Sequence, residues 1–174
     1  MTQTETQTQQ NPEAVLEGIK KKLGFVPNIY KEMIKSPAAF AVYVGGTRAL
    51  EQHGTFKPDE RQAVMLAVSA WNKCDYCASA HDLLAKASGL SSEDVAAARG
   101  GGEPDDARIK NLVRAARLIL DKRGFLNEED LRSLENAGIP RPQLYEIIAI
   151  VGLKTISNYL NHVNHTDIDL QFKA

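Results

Sequence analysis

Cys74, Cys77 and His81 are spaced C-x-x-C-x-x-x-H within the run N-K-C-D-Y-C-A-S-A-H, and the chain has no other cysteine. Tyr76, Ala80, Leu83, Leu84 and Ala87 recur at helical spacing, which predicts a helix over residues 75–88. Gly89 follows as its natural stop. On that helix Cys74 and Cys77 are i, i+3 neighbours, and Cys77 and His81 are i, i+4 neighbours. A dithiol and an imidazole therefore share one face near a helix N-terminus.

This grouping suits thiolate chemistry. A free thiol titrates near ~8.5, and a helix N-terminus, a cation or a C-x-x-C partner lowers that value. An imidazole one turn away takes the thiol proton as a general base or stabilises the thiolate. The second thiol resolves a sulfenic acid into a disulfide. Two other readings stand beside the redox one. His162 and His165, spaced H-x-x-H, would complete four zinc ligands with the two cysteines. Alternatively, the thiols are buried and structural, beside a solvent-facing histidine.

The elements that must position these residues are all helical. Asn11-Pro12 and Ser36-Pro37 each place a capping side chain before a helix-opening proline, and Gly24 and Gly54 close the respective helices. Val26-Pro27-Asn28 opens a short helix to Lys35, and a long apolar one covers residues 38–53. Gly45-Gly46 inside the latter marks a weak spot or the close approach of another helix. Residues 61–71 follow Pro58, Asp59 and Glu60 and are almost wholly apolar after Gln62, as expected of a central core helix. Further helices are predicted from Ser91 to Gly100, over 105–123, over 127–136 and over 142–161. No stretch alternates with period two and no βαβ unit is present, so the fold class is all-α, a single domain over residues 11–174. The Thr/Gln-rich residues 1–10 are expected to be a disordered tail.

Composition narrows the partners. A chain of 174 residues is long enough for one domain burying roughly 70% of its unfolded surface. A net charge of −1 leaves no electrostatic footprint for nucleic acid or an anionic membrane. The longest apolar runs, 63–71 and 147–153, fall short of the ~18 residues that span a bilayer. The N-terminus lacks the basic and apolar regions of a signal peptide. Two cysteines in one C-x-x-C suit a reducing cytosol, and a cytoplasmic protein is expected. The helices over 38–50, 63–71 and 147–156 are apolar around more of their circumference than one small core needs, which predicts a homo-oligomer.

The run D-E-R-Q-A-V-M-L-A-V-S-A-W-N-K-C-D-Y-C-A-S-A-H closely resembles the core of the AhpD-like, carboxymuconolactone decarboxylase superfamily. The segment I-S-N-Y-L-N-H-V (156–163) and the opening G-F-V-P-N (24–28) resemble its longer, peroxidase-related members. The resemblance implies an all-α fold assembled into trimers or hexamers, and alkylhydroperoxidase activity without a cofactor. It makes Cys77 the peroxidatic thiol, Cys74 the resolving thiol and His81 the base of a His/Glu proton relay. Where the family usually carries the relay glutamate this chain has Gln62, and the nearest carboxylate is Glu60. Glutamine orients an imidazole but accepts no proton. Glu60 therefore either serves the relay or is only a helix-start carboxylate favoured by the dipole.

The function expected is reduction of small hydroperoxides by the Cys74/Cys77 dithiol, regenerated by a lipoyl or thioredoxin-like dithiol protein. Trp71, Tyr76 and His162 are candidates for supporting the pocket, with Tyr159 beside them. The alternatives are a carboxymuconolactone-decarboxylase-like lyase and a non-enzymatic redox- or zinc-responsive binding protein. The decarboxylase branch generally lacks the C-x-x-C.

Overall fold

Proline starts and glycine stops lie where the sequence puts them. The computed structural model describes residues 11–173, so the expected tail, residues 1–10, lies outside the described residues. Among these the chain forms nine α-helices and no strand. They are α1 (Pro12–Leu23), α2 (Asn28–Met33), α3 (Pro37–His53), α4 (Pro58–Trp71) and α5 (Asp75–Ala87). There follow α6 (Ser92–Gly100), α7 (Ala107–Lys122), α8 (Glu128–Asn136) and α9 (Arg141–Asn164), with a 3₁₀ turn at Leu170–Phe172. None is long and apolar enough to cross a membrane.

The central helix is α4, which packs against α5, α6, α7 and α9. Every residue from Ala63 to Ser69 is buried, so no side of this stretch faces water. Small residues set the spacing between α4 and α5: Ala63 and Ala67 share a buried cluster with Ala78 and Ala85. That close approach brings the faces carrying Gln62 and His81 together. Filling such a core is worth about 1.5–3 kcal/mol for each large aliphatic side chain fully buried.

Helix α9 crosses α3 where Gly46 leaves room. A Cβ on Gly46 would sit 2.5 Å from a Leu153 methyl, so the glycine marks the helix approach that its position suggests. Gly45 next to it meets nothing. The turn between α4 and α5 is made by Lys73, in the left-handed conformation at φ 55°, and Cys74 N–H then donates to Ser69 O at 3.0 Å. Cys74 is thereby delivered to the N-cap of α5.

Helix α2 stops at Met33, short of the expected Lys35, and two further features differ from expectation. Helix α9 continues to Asn164 before His165 ends it in the left-handed conformation, which keeps His162 on the helix. The 3₁₀ turn has no periodicity to announce it. It is held by tertiary contact, with Phe172 packed edge-on against Phe25 and Tyr76.

Candidate dithiol site

Both cysteines are free thiols, and they are 1% and 2% exposed for Cys74 and Cys77 respectively. The α9 face opposite them carries Lys154, Ser157, Asn158 and Asn161, all buried and spaced as one helical stripe. Asn161 Nδ2 donates to Cys77 Sγ at 3.2 Å and lies 3.9 Å from Cys74 Sγ. Ser157 Oγ lies 3.8 Å from Cys77 Sγ. Asn158 Oδ1 accepts from Asn72 Nδ2 at 2.9 Å. Buried Tyr43 of α3 adjoins the sulfurs and Ser157, and burial raises its phenol well above the ordinary range, so it stays neutral.

His81 is placed beside this group without touching Cys77 in the manner its spacing suggests. Its Nδ1 lies 2.8 Å from Gln62 Oε1, and its Nε2 lies 2.7 Å from Lys154 Nζ. The partners assign the tautomer: Nδ1–H donates to the glutamine carbonyl, and Nε2 accepts from the ammonium. Burial, and then the adjacent Lys154 charge, hold the imidazole well below its usual range, so it is neutral at physiological pH. Both ring nitrogens are thus engaged, and neither is bonded to a sulfur.

The two thiols are driven apart by their surroundings. Cys77 is lowered because the Cys74 thiol donates to its sulfur, and because Lys154, Ser157 and Asn158 favour its charge against the cost of burial. Cys74 is raised, first by being that donor and then by burial. The pair therefore shares one proton, with the thiolate on Cys77. That ordering puts the thiol favoured as thiolate deeper on α5 and leaves the N-cap position to the other.

The remaining candidates fall outside this chain of contacts. Glu60 accepts the Lys57 N–H at 2.9 Å, closing a capping box, and its other oxygen meets Arg108 Nε at 2.8 Å. The residue against His81 is Gln62. Tyr76 is buried, and its hydroxyl donates to Asp169 at 2.5 Å while accepting from Ile29 N–H at 3.3 Å. It ties the C-terminal segment to the start of α2, in the apolar cluster that also holds both cysteines. Trp71 is 45% exposed at the end of α4, in a surface hollow with Lys110, Arg114 and Arg117. His162 and His165 are exposed, His162 stacked on exposed Tyr159, and neither joins the cysteines. Among the described residues no group of three or more His, Cys, Asp or Glu side chains converges as a metal site would require.

Lys154 and the Ser157, Asn158, Asn161 stripe are the residues that sequence reasoning missed. The signal was available: four polar residues at i, i+3, i+4 and i+7 on a helix otherwise rich in aliphatics. A buried lysine is rare unless partnered, so a lysine inside such a run marks a site.

The carboxymuconolactone decarboxylase family matches residues 36–118. No curated protein matches the chain. Among solved structures, an uncharacterised peroxidase-related protein from Ralstonia eutropha JMP134, described as an alkylhydroperoxidase AhpD core, is 22% identical, with a TM-score of 0.80 over 92% of this chain and 86% of that one. A peroxidase-related protein from Silicibacter sp. TM1040 is 18% identical, with a TM-score of 0.78 over 92% of this chain and 85% of that one. The debrominase Bmp8 is 21% identical, with a TM-score of 0.73 over 99% of this chain and 92% of that one, and a cysteine-to-alanine variant of it holds 2,3,4-tribromopyrrole. The fold is the AhpD-like one, and proteins that share it differ in what they act on.

Proposed function

We propose that this AhpD-like chain, matched to the carboxymuconolactone decarboxylase family over residues 36–118, is a dithiol peroxidase that reduces small hydroperoxides. The observation that carries the reading is a pair of buried free thiols with Asn161 Nδ2 donating to Cys77 Sγ at 3.2 Å, a setting that favours Cys77 as thiolate and Cys74 as the protonated partner. A lone structural cysteine pair has no need of a buried lysine and an amide aimed at one sulfur.

In the proposed cycle the Cys77 thiolate attacks the terminal oxygen of ROOH. The O–O bond breaks, RO⁻ departs, and Cys77 becomes a sulfenic acid. The Lys154 ammonium gives RO⁻ its proton, then recovers one from the Cys74 thiol. The Cys74 thiolate attacks the Cys77 sulfur, hydroxide leaves and is protonated by solvent, and the disulfide forms. An external dithiol, lipoyl or thioredoxin-like, returns the two electrons by exchange. His81 holds Lys154 through Nε2 and is itself held by Gln62, so it positions the proton donor. Glu60, bound to Arg108 and to its own helix start, supports α4.

Burial of both sulfurs favours a small substrate, and a dithiol that must cycle fits a reducing cytosol. We also assign a homo-oligomer, the trimer or hexamer implied by the AhpD-like resemblance. Helix α4 is enclosed by its own neighbours, but Val42 of α3 and Tyr145, Ile148, Tyr159 and Val163 of α9 remain exposed. The experiment is turnover of cumene hydroperoxide with reduced lipoyl protein. Wild type turns over and Cys77→Ser does not; equal rates would remove the reading. Brominated pyrrole in place of hydroperoxide tests the activity named for the debrominase.

A further inference from the structure

Two amide atoms of the dithiol site close no hydrogen bond: Asn158 Nδ2 and Asn161 Oδ1. Asn158 is 0% exposed and Asn161 4%, so water does not serve them freely. Buried polar atoms are nearly always satisfied, and an unsatisfied one beside a reactive group calls for a reason. The other half of each amide is already committed. Asn158 Oδ1 accepts from Asn72 Nδ2 at 2.9 Å, and Asn161 Nδ2 donates to Cys77 Sγ at 3.2 Å.

These commitments fix which atom of each amide is left over. Turning Asn161 about would press a carbonyl oxygen against the sulfur that carries the thiolate. Turning Asn158 would set its amino group against Asn72 Nδ2, donor against donor. The nucleophile is therefore flanked by one spare donor, Asn158 Nδ2, and one spare acceptor, Asn161 Oδ1. The two residues are one helical turn apart on α9, on the face that meets the cysteines.

We propose that Asn158 and Asn161 form the substrate-binding pair of the site and select a hydroperoxide, R–O–O–H, over electrophiles that lack an O–H. This rests on the peroxidase reading above and names how its substrate is held. Asn161 Oδ1 accepts from the terminal O–H and so turns that oxygen toward Cys77 Sγ. Asn158 Nδ2 donates to the inner oxygen. When the thiolate attacks, the S–O bond forms as the O–O bond breaks, and the electron pair leaves on the inner oxygen. The terminal oxygen keeps its hydrogen and becomes the sulfenic acid, still donating to Asn161. The Asn158 donor strengthens as charge gathers on RO⁻, so it acts on the transition state more than on the bound substrate. A dialkyl peroxide has no proton for Asn161, and an alkyl halide has use for neither amide.

The test compares two electrophiles on one thiolate. On a Cys74→Ser background, which stops at the sulfenic acid, the rate of Cys77 oxidation by tert-butyl hydroperoxide is measured beside the rate of its alkylation by iodomethane. Asn158→Leu keeps the side-chain volume and Asn158→Ala vacates it; circular dichroism identifies any variant that fails to fold. In folded Asn158 variants the hydroperoxide rate is expected to fall about 10²-fold, the usual effect of removing one such donor. Alkylation should change by less than about threefold, since Asn158 Nδ2 closes no hydrogen bond to the sulfur. Asn161→Leu should slow both, because Asn161 Nδ2 touches the sulfur itself. Undiminished hydroperoxide rates, or equal losses with both electrophiles, in the Asn158 variants would overturn the amide pair while leaving the peroxidase reading intact. A Cys74→Ser protein that reacts with hydroperoxide no faster than a free thiol would overturn both.

Discussion

Lys154 Nζ lies 2.7 Å from His81 Nε2, inside the protein, with the lysine 2% exposed. The imidazole lone pair that the C-x-x-C-x-x-x-H spacing offers to Cys77 is spent on an ammonium. In the proposed cycle the cation acts on the thiolate by charge, and the histidine acts through the cation. Replacing a thiol–imidazole pair with a thiolate–ammonium pair changes what mutations and pH should do.

Lys154→Met is expected to slow Cys77 sulfenic acid formation at pH 7 by about 10²-fold, the range of a lost proton donor. Ultraviolet titration of the thiolate should show Cys77 ionising at higher pH than in wild type. Stability should fall, by up to about 3–5 kcal/mol where His81 Nε2 and the Cys77 thiolate lose their buried partner and by less where Cys77 takes up a proton. A folded variant with an unaltered thiolate titration would contradict the role assigned to Lys154.

The neutral His81 makes the fold acid-sensitive. Its folded-state pKa lies well below the ordinary 6.5, so as pH falls through that value the unfolded chain takes up a proton that the folded chain refuses. Stability is therefore fully present above about pH 6.5 and is lost on acidification, with a slope of up to about 1.4 kcal/mol for each pH unit. Cys77, also lowered in the fold, works in the same direction from its lowered value up to the ordinary thiol range, so the comparison belongs on a Cys77→Ser background. Urea unfolding at pH 5 and pH 7 should show a smaller difference for His81→Gln than for His81.

Gln62 and Glu60 should separate cleanly. Glu60→Gln weakens the Arg108 ion pair and the helix start, and is expected to cost about 1–3 kcal/mol with little change in the rate of sulfenic acid formation. Gln62→Glu places a carboxylate against His81 Nδ1, favours imidazolium and opposes the Lys154 contact, so the pH–rate profile moves while stability changes less. If Glu60→Gln instead removed activity in a well-folded protein, the relay role would return to Glu60.

The local motif was legible because it is local. Asn11-Pro12, Ser36-Pro37, Gly24 and Gly89 set helix limits through their own backbone preferences, and C-x-x-C-x-x-x-H shares one face for the same reason. The choice between Glu60 and Gln62 was within reach too. Residues two apart on a helix point roughly 200° away from each other, so only one of them can face α5. The partner of His81 was not legible, since it depends on how α9 packs against α5, a contact between residues far apart in the chain. Ser157, Asn158 and Asn161 lie in the 156–163 segment that carries the resemblance, but only the packing of α9 sets them and Lys154 opposite the cysteines.

Tyr76 joins the C-terminal segment to α2 within the apolar cluster that holds both sulfurs. Tyr76→Phe removes a hydroxyl shared by Asp169 and the Ile29 N–H, and is expected to cost about 1–3 kcal/mol. Hydrogen exchange at the N-terminus of α2 and in residues 165–173 should quicken, and alkylation of the cysteines by a bulky maleimide should speed up with it. Faster exchange confined to other helices would show that the hydroxyl does not hold this junction.

The most direct measurement is trapping of the sulfenic acid in each single-cysteine variant after one equivalent of hydroperoxide. Cys74→Ser should accumulate the probe at Cys77, because the thiolate and its lysine remain in place. Cys77→Ser should stay nearly unlabelled, because Cys74 is the raised thiol of the pair. Label at Cys74 in the Cys77→Ser protein, with none at Cys77 in the Cys74→Ser protein, would show that the helix N-terminus, and not the buried lysine, chooses the nucleophile.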